Sequence, residues 1–427
     1  MNAAPQTLEA WLARIEQLHS KSIDLGLERL REVAARLGLA LPCVVITVGG
    51  TNGKGSTCAM LDAILRAGGY RVGLYASPHL VRFNERVRLD GVQVDDDALV
   101  GQFEAVEAAR GAVPLTYFEF TTLAALRLFQ QRAPEVAILE VGMGGRLDAV
   151  NLVDPDCAIV TSVDVDHAEF LGETRERIGW EKAHIFRAGR PAICSDPAPP
   201  ATLLEHAGTI GADPWLLGRD FAYESKGGQW SYRGRSWRRG GMAWPALRGA
   251  NQLQNAAGVL AALEALRHRL PVAQQSVRDG LASVSLPGRF QVLPGRPVVI
   301  LDVAHNPHAA AQLAANLRGM GAFRRTFAVF GAMRDKDIDG MIAALKHQID
   351  EWLPTDLPTP RAASATWIVE RLHAAGVATG DEGQRIDCHR SAREALDAAR
   401  GRAKPDDRIL VFGSFYTVAD VLAARAP

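Results

Sequence analysis

Short apolar runs alternate with stretches of helical periodicity along most of this chain. The runs 44–48, 72–75, 136–141, 158–163, 191–194, 298–303, 326–330 and 409–412 read as buried strands, several of them rich in Val and Ile. Helical patterns fill the gaps. The first two are Leu8, Trp11, Leu12, Ile15 and Leu18, then Leu27, Leu30, Val33, Ala34 and Leu37. Short all-apolar strands joined by amphipathic helices predict α/β architecture with parallel sheets.

Three stretches break the pattern. Residues 230–244 interleave Trp and Tyr with Arg around Gly234. Such interleaving can mark nucleic-acid binding, but the alternation also suits a β-hairpin, and the hairpin is the expectation. Leu286-Pro-Gly-Arg-Phe-Gln-Val-Leu-Pro-Gly-Arg-Pro carries turn residues throughout, and strand–helix alternation restarts at Val298. It is the expected junction of two domains, 1–287 and 288–427. Residues 353–360 contain three prolines and read as a surface loop.

A chain of 427 residues suits two domains better than one core. Lys+Arg and Asp+Glu are both 48, which favours neither a nucleic-acid nor a membrane partner. The five cysteines are scattered without a CxxC pair, as expected of reduced thiols in a cytoplasmic protein. Residues 1–19 lack the basic start and apolar core of a signal peptide, and no apolar run reaches membrane-spanning length.

The chemistry begins where the first strand ends. Gly49-Gly-Thr-Asn-Gly-Lys-Gly-Ser lies between the run 44–48 and a helical pattern starting at Cys58. Strand, glycine loop and helix start form the context of a phosphate-binding loop. Its backbone N–H groups face phosphate oxygens and its lysine supplies countercharge. The spacing is not G-x-x-x-x-G-K-[ST]: that first glycine falls at Val48, and Gly55 separates Lys54 from Ser56. An ordinary glycine-rich turn is the plainer alternative, and the flanking strand and helix argue against it.

In α/β sheets ligands collect at the C-terminal ends of strands. Polar residues there are Ser77, Glu140, Asp164, Asp166 and His167. A carboxylate such as Glu140 in an apolar strand beside a phosphate loop suits Mg²⁺, which prefers oxygen ligands. Gly142-Met-Gly-Gly-Arg-Leu imitates a dinucleotide fingerprint, but Leu147 occupies the third glycine position.

Gly50-Thr-Asn-Gly-Lys-Gly-Ser, Tyr75-Ala-Ser-Pro-His-Leu, Leu139-Glu-Val-Gly-Met-Gly-Gly-Arg-Leu-Asp-Ala, Asp166-His, Glu181-Lys-Ala, Leu286-Pro-Gly-Arg-Phe and Asp302-Val-Ala-His-Asn-Pro occur in that order. With them the chain resembles the bacterial folylpolyglutamate synthase/dihydrofolate synthase family of the Mur ligase superfamily. The glycine loop alone indicates only the superfamily.

The resemblance implies an N-terminal P-loop, Mur-ligase-like ATPase domain and a smaller Rossmann-like C-terminal domain. It implies ATP contacts from Thr51, Asn52, Gly53, Lys54, Gly55, Ser56, Asn255, Arg289 and Asp302. Ser77, Glu140, His167 and a carbamylated Lys182 match its magnesium ligands, for two ions. Asp24, Leu25, Gly26 and Leu27, Thr116, Tyr117, Phe118 and Glu119, and Leu147, Asp148 and Ala149 match its pterin-holding segments. His305 and Ser414 match positions linked to glutamate, and Lys54, Lys182 and His305 are the catalytic set. The implied activity joins L-glutamate to 7,8-dihydropteroate and extends reduced folates to polyglutamates, through an acyl phosphate, in a cytoplasmic monomer. The alternatives are a monofunctional folylpolyglutamate synthase, a cell-wall Mur ligase, and a nucleotide-binding regulator without activity.

Overall fold

The computed structural model describes residues 5–21, 23–377 and 385–424. They divide into two compact units. The first takes the described residues of Met1–Pro78, Asn84–Ala246 and Leu253–Val284; the second takes those of His79–Phe83, Leu247–Gln252 and Ser285–Pro427.

The first unit is built on an eight-stranded sheet. Its strands are β1 (Val44–Gly49), β2 (Val72–Tyr75), β3 (Val87–Leu89), β4 (Val92–Gln93), β5 (Val136–Glu140), β6 (Cys157–Val160), β7 (Pro191–Cys194) and β8 (Asp213–Leu216). Their spatial order is β4-β3-β2-β5-β1-β6-β7-β8. β2, β5, β1, β6, β7 and β8 run parallel, and β3 and β4 complete one edge antiparallel. Every residue of β1, β2, β5 and β6 is buried, which explains why these strands are almost wholly apolar, with Thr47 and Glu140 the exceptions.

Helices α1 (Leu8–Ile15) and α2 (Glu28–Arg36) each bury one stripe: Leu8, Trp11 and Ile15, then Leu30, Val33 and Ala34. Trp11 packs against Phe103 of α4 (Asp96–Arg110) and Phe120 of α5 (Tyr117–Arg132), with ring centroids 6.2 and 6.3 Å apart. Between β1 and β2 runs α3 (Lys54–Ala67).

Residues 230–244 do form a hairpin. β10 (Gln229–Arg233) pairs with β11 (Arg238–Ala243), and β9 (Ala222–Lys226) completes a three-stranded sheet. Its anchor is Glu264, which is fully buried. The carboxylate accepts from Tyr232 Oη at 2.8 Å, from Trp237 N–H at 2.9 Å and from Ser236 N–H. Burial and this carboxylate push the Tyr232 phenol pKa up, so the hydroxyl stays a donor.

The second unit holds a six-stranded sheet of β12 (Gln291–Leu293), β13 (Val298–Leu301), β14 (Thr326–Phe330), β15 (Glu351–Pro354), β16 (Arg385–Ile386) and β17 (Arg408–Phe412). The order is β12-β13-β17-β14-β15-β16, with β12 antiparallel to β13 and the rest parallel. Phe330 and Phe412 stack across neighbouring strands at 4.6 Å.

One expectation is corrected here. The loop read over 353–360 begins inside β15, where Trp352 and Leu353 have no exposed surface. Pro354 is the last residue of that strand, where its missing N–H is tolerated.

Glu264→Ala should strand the buried Tyr232 hydroxyl and two part-buried N–H donors and lower stability by about 2–4 kcal/mol. Tyr232→Phe should cost only about 1 kcal/mol, because both backbone N–H groups keep their acceptor. Urea melts of the two variants test this order; equal losses would mean Glu264 is not the anchor.

Candidate active site at the strand ends

The phosphate-type loop leaves β1 at the C-terminal edge of the sheet. Gly53 has φ +88° and starts α3 as its N-cap, so Lys54, Gly55 and Ser56 form the first helical turn. Those first N–H groups have no partner inside the helix, and the helix dipole adds positive potential there. Lys54 Nζ donates back to the carbonyls of Gly50 and Thr51 at 3.1 and 3.3 Å. Asn255 lies against the loop: a Cβ placed on Gly53 would meet its Oδ1 at 2.6 Å.

The loop is held from behind by the segment after β6. Thr51 N–H donates to Ser162 O at 2.8 Å, and Asn52 N–H to Ser162 Oγ at 3.1 Å. Thr161 Oγ1 donates to Asn52 O at 2.6 Å. Thr51 Oγ1 donates to Asp164 O and accepts from Asp164 N–H, both at 3.0 Å.

Neighbouring strand ends carry the residues expected to hold metal. Glu140, the last residue of β5, is buried, and its Oε2 accepts from Ser77 N–H at 3.2 Å. His167 follows β6 with φ +52°, an uncommon left-handed backbone for a residue with a side chain. Lys182 lies on the helix Arg175–Ala183 and is 3% exposed. Burial first, and then the Lys54 ammonium, lower its pKa to about 7; Asp166 and Asp148 pull the other way. Lys54, Lys182, Asp148 and Asp166 thus share one electrostatic neighbourhood.

The pterin-matching segments also meet. Thr116 and Glu119 form a capping box at the start of α5, which orients Tyr117 and Phe118. The Phe118 ring stacks on Tyr75 with centroids 6.2 Å apart. A Cβ on Gly142 would lie 2.7 Å from that ring and 3.2 Å from Asp148 Oδ2. Asp148 accepts from Met143 and Val150 N–H at 2.8 and 3.0 Å, while burial raises its pKa to about 6. Leu147 and Ala149 flank it. The segment 24–27 joins them through Asp24, which is tied to Arg29, and Arg29 to Glu119. Leu25 is exposed, Gly26 is partly buried and Leu27 is buried.

Four further candidates belong to the second unit. Asp302 follows β13 and accepts from Phe290 and Ala304 N–H, both at 2.8 Å. Burial raises its pKa against those donors and the nearby Arg289 charge. The Arg289 guanidinium lies 5.0 Å from the Phe415 ring centroid, and the His305 ring lies 5.9 Å from it. His305 Nδ1 donates to Val303 O at 2.8 Å, which assigns its proton. Ser414 is buried and caps the helix Phe415–Ala423 by accepting from Thr417 N–H at 3.0 Å.

Sequence reasoning missed the residues that hold this edge in place. Thr161 and Ser162 were hidden inside an apolar run. Arg175 and Asp196 clamp Val163: Asp196 Oδ2 accepts its N–H at 2.7 Å and Arg175 Nε donates to its carbonyl at 2.8 Å. Asp196 had a signal, since it stands just past the run 191–194, where the strand-end rule applies equally.

Two protein-family models match the chain. The Mur ligase middle domain matches residues 48–197, and the Mur ligase glutamate ligase domain matches residues 288–415. With the fold, they define a ligase of the Mur class. The dihydrofolate synthase/folylpolyglutamate synthase of Escherichia coli K12 is 46% identical over 420 residues, 98% of this chain and 96% of that protein. The chain belongs to the dihydrofolate synthase/folylpolyglutamate synthase family. Among solved structures, E. coli FolC in complex with DHPP and ADP superposes with a TM-score of 0.93 at 45% identity. That match covers 99% of this chain and all (100%) of that one. A bifunctional relative with Mn, AMPPNP and L-glutamate bound gives 0.90 at 43% identity, covering 99% and 100%. Among the described residues no helix is long and apolar enough to cross a membrane.

A side chain at Gly50 has no room: φ is +143°, and a Cβ would lie 1.9 Å from Thr161 Oγ1. Gly50→Ala should cost about 3 kcal/mol from strain plus clash. Gly69→Ala, at φ +86° with nothing within 4 Å, should cost about 1 kcal/mol from strain alone. Denaturant melts separate the two contributions; equal costs would refute the close approach at Gly50.

Proposed function

We propose that this chain joins L-glutamate to 7,8-dihydropteroate, and further glutamates to reduced folates, while ATP becomes ADP and phosphate. One observation carries the reading. A glycine loop with Lys54 at a helix N-terminus adjoins a buried Lys182 and strand-end carboxylates, in a chain 45% identical to FolC solved with DHPP and ADP. In this reading residues 1–287 bind ATP and the pterin, and residues 288–427 serve glutamate. The working form is a cytoplasmic monomer acting on small molecules without nucleic acid.

The chemistry asks for what these residues offer. A carboxylate is a poor acyl donor because oxide leaves badly. Transfer of the γ-phosphoryl group to it gives an acyl phosphate and ADP; the glutamate amine then attacks the carbonyl carbon and phosphate leaves. Charge concentrates on phosphoryl oxygens, so the loop N–H groups from Gly53 to Ser56, which begin the helix, and the Lys54 ammonium stabilise it. Asn255, Arg289 and Asp302 are the remaining nucleotide contacts in this scheme, and His305 and Ser414 receive glutamate.

Ser77, Glu140, His167 and Lys182 would hold two Mg²⁺ ions. Among the described residues no three His, Cys, Asp or Glu side chains gather as a cage. That suits a metal that takes several ligands from nucleotide phosphates and only one or two from carboxylates. Bound there, magnesium offsets phosphate charge. Lys182 would fit as a carbamate, because Mg²⁺ prefers oxygen ligands and an ammonium would repel it. Its nitrogen attacks CO₂ and loses a proton, leaving a monoanion with two oxygens. A buried amine with a lowered pKa is available for that addition at neutral pH.

With MgATP and glutamate, the purified protein should release ADP when given dihydropteroate and when given tetrahydrofolate. Lys54→Ala should lower both rates about a hundredfold or more while melting normally. Turnover of tetrahydrofolate without dihydropteroate would make the protein a monofunctional folylpolyglutamate synthase.

With ¹³C-bicarbonate, a carbamate signal should appear in the folded protein and vanish in Lys182→Ala. Its intensity should rise between about pH 6 and pH 8, as the amine deprotonates. Lys182→Ala should regain some activity with added short carboxylates. A wild-type spectrum without that signal at pH 8 would refute the modification.

A further inference from the structure

Arg29 joins the loop just before it to Glu119, 90 residues further along the chain. It sits in the first turn of α2, half-buried, at the edge of the stripe that packs into the core and one turn before Val33. Its Nη1 donates to Asp24 Oδ2 at 2.5 Å, and its Nη2 donates to the Asp24 carbonyl. Its Nε lies 3.0 Å from both carboxylate oxygens of Glu119. One guanidinium therefore holds the side chain and backbone of the loop before α2 and the carboxylate at the start of α5.

Neither partner is an ordinary surface acid. Glu119 is 4% exposed, and its Oε2 already takes Thr116 N–H at 2.8 Å and Thr116 Oγ1 at 2.9 Å. That carboxylate is the capping group that sets the direction of Tyr117 and Phe118. Asp24 also gathers His19 Nε2 at 3.5 Å and Lys21 Nζ at 3.4 Å, so the polar groups of its loop converge on the carboxylate that Arg29 holds. A planar fork with several donors can make these contacts together; a lysine would keep one at most.

We propose that Arg29 is a positioning residue that sets the spacing between the loop 24–27 and the N-terminus of α5, and so sets affinity for the pterin substrate. This rests on the assignment of both segments to dihydropteroate. Arg29 need not touch the substrate. It ties the two walls together before the ligand binds, so its loss transfers part of their ordering cost to binding. The phosphate loop lies on other elements, β1 and α3, and is pinned by residues 161–164.

The expected signature is a split in kinetic constants. Arg29→Ala should raise KM for dihydropteroate about tenfold or more, while KM for ATP and for glutamate, and kcat at saturation, change less than about twofold. Arg29→Lys should recover only part of the loss. Arg29→Met, which keeps the apolar stem, should behave like the alanine variant, and thermal melts must show all three folded.

Phe118→Ala serves as the reference. If it raises the dihydropteroate KM and Arg29→Ala does not, Arg29 has no positioning role. If Phe118→Ala leaves that KM unchanged, the segment assignment itself is wrong. A fall in kcat with unchanged KM in Arg29→Ala, or full recovery by lysine, would also overturn the proposal.

Discussion

A phosphate loop must face outward with its N–H groups unsatisfied, yet keep one shape. Here the constraint is met from behind. The inward polar groups of Thr51 and Asn52 are taken up by Thr161, Ser162 and Asp164. Gly50 packs too closely on Thr161 for any Cβ. The support has a second layer, because Val163 is gripped on both sides of its peptide by Asp196 and Arg175. Arg175 also opens the helix that carries Lys182. These hydrogen bonds thus tie the loop to residues 161–164, and those residues to the first turn of the helix that carries Lys182. Such outer partners usually matter nearly as much as the groups they orient.

Electrostatics then distinguish the two lysines. Lys54 rests its side-chain nitrogen on the loop carbonyls of Gly50 and Thr51, from which it can turn to phosphate. Lys182 is buried beside that cation, and both effects favour its neutral form. Adding CO₂ converts a group that Lys54 repels into one that it attracts. The neighbourhood that looks unfavourable for an ammonium is therefore suited to an anion, with Asp148 and Asp166 the opposing charges.

The sequence made the strands legible because buried parallel strands leave a dense apolar signal. The runs 191–194 and 326–330 coincide with β7 and β14. β15 was lost because Pro354 ends it, and proline is a loop signal unless its neighbours are known to be buried. The hairpin was legible from alternation, but its anchor was not, since Glu264 lies on a distant helix and pairs only in three dimensions. The same limit applies to the site. Residues just after strands, Asp196 among them, could be found by rule, whereas Arg29 and Arg175 act through contacts with segments distant in sequence. The resemblance supplied substrate segments that no periodicity would have singled out. The polar stretch 19–27 otherwise reads as a connector.

The arrangement also bears on how one protein serves two substrates. The sequence contains one Gly-Thr-Asn-Gly-Lys-Gly-Ser loop and one Asp302-Val-Ala-His segment, so both glutamate additions must share them. The reacting group is the same in each, a carboxylate that becomes an acyl phosphate. What differs is its distance from the pterin: fixed on a benzoate ring in dihydropteroate, at the end of a flexible arm in a reduced folate. A rigid site can accept both only if the pterin docks in different places or poses. In the proposed assignment the walls that would meet it stand on α5 and on segments 24–27 and 147–149, while the phosphate loop stands on β1 and α3. Separate elements for the shared chemistry and for the variable end let one requirement change without disturbing the other.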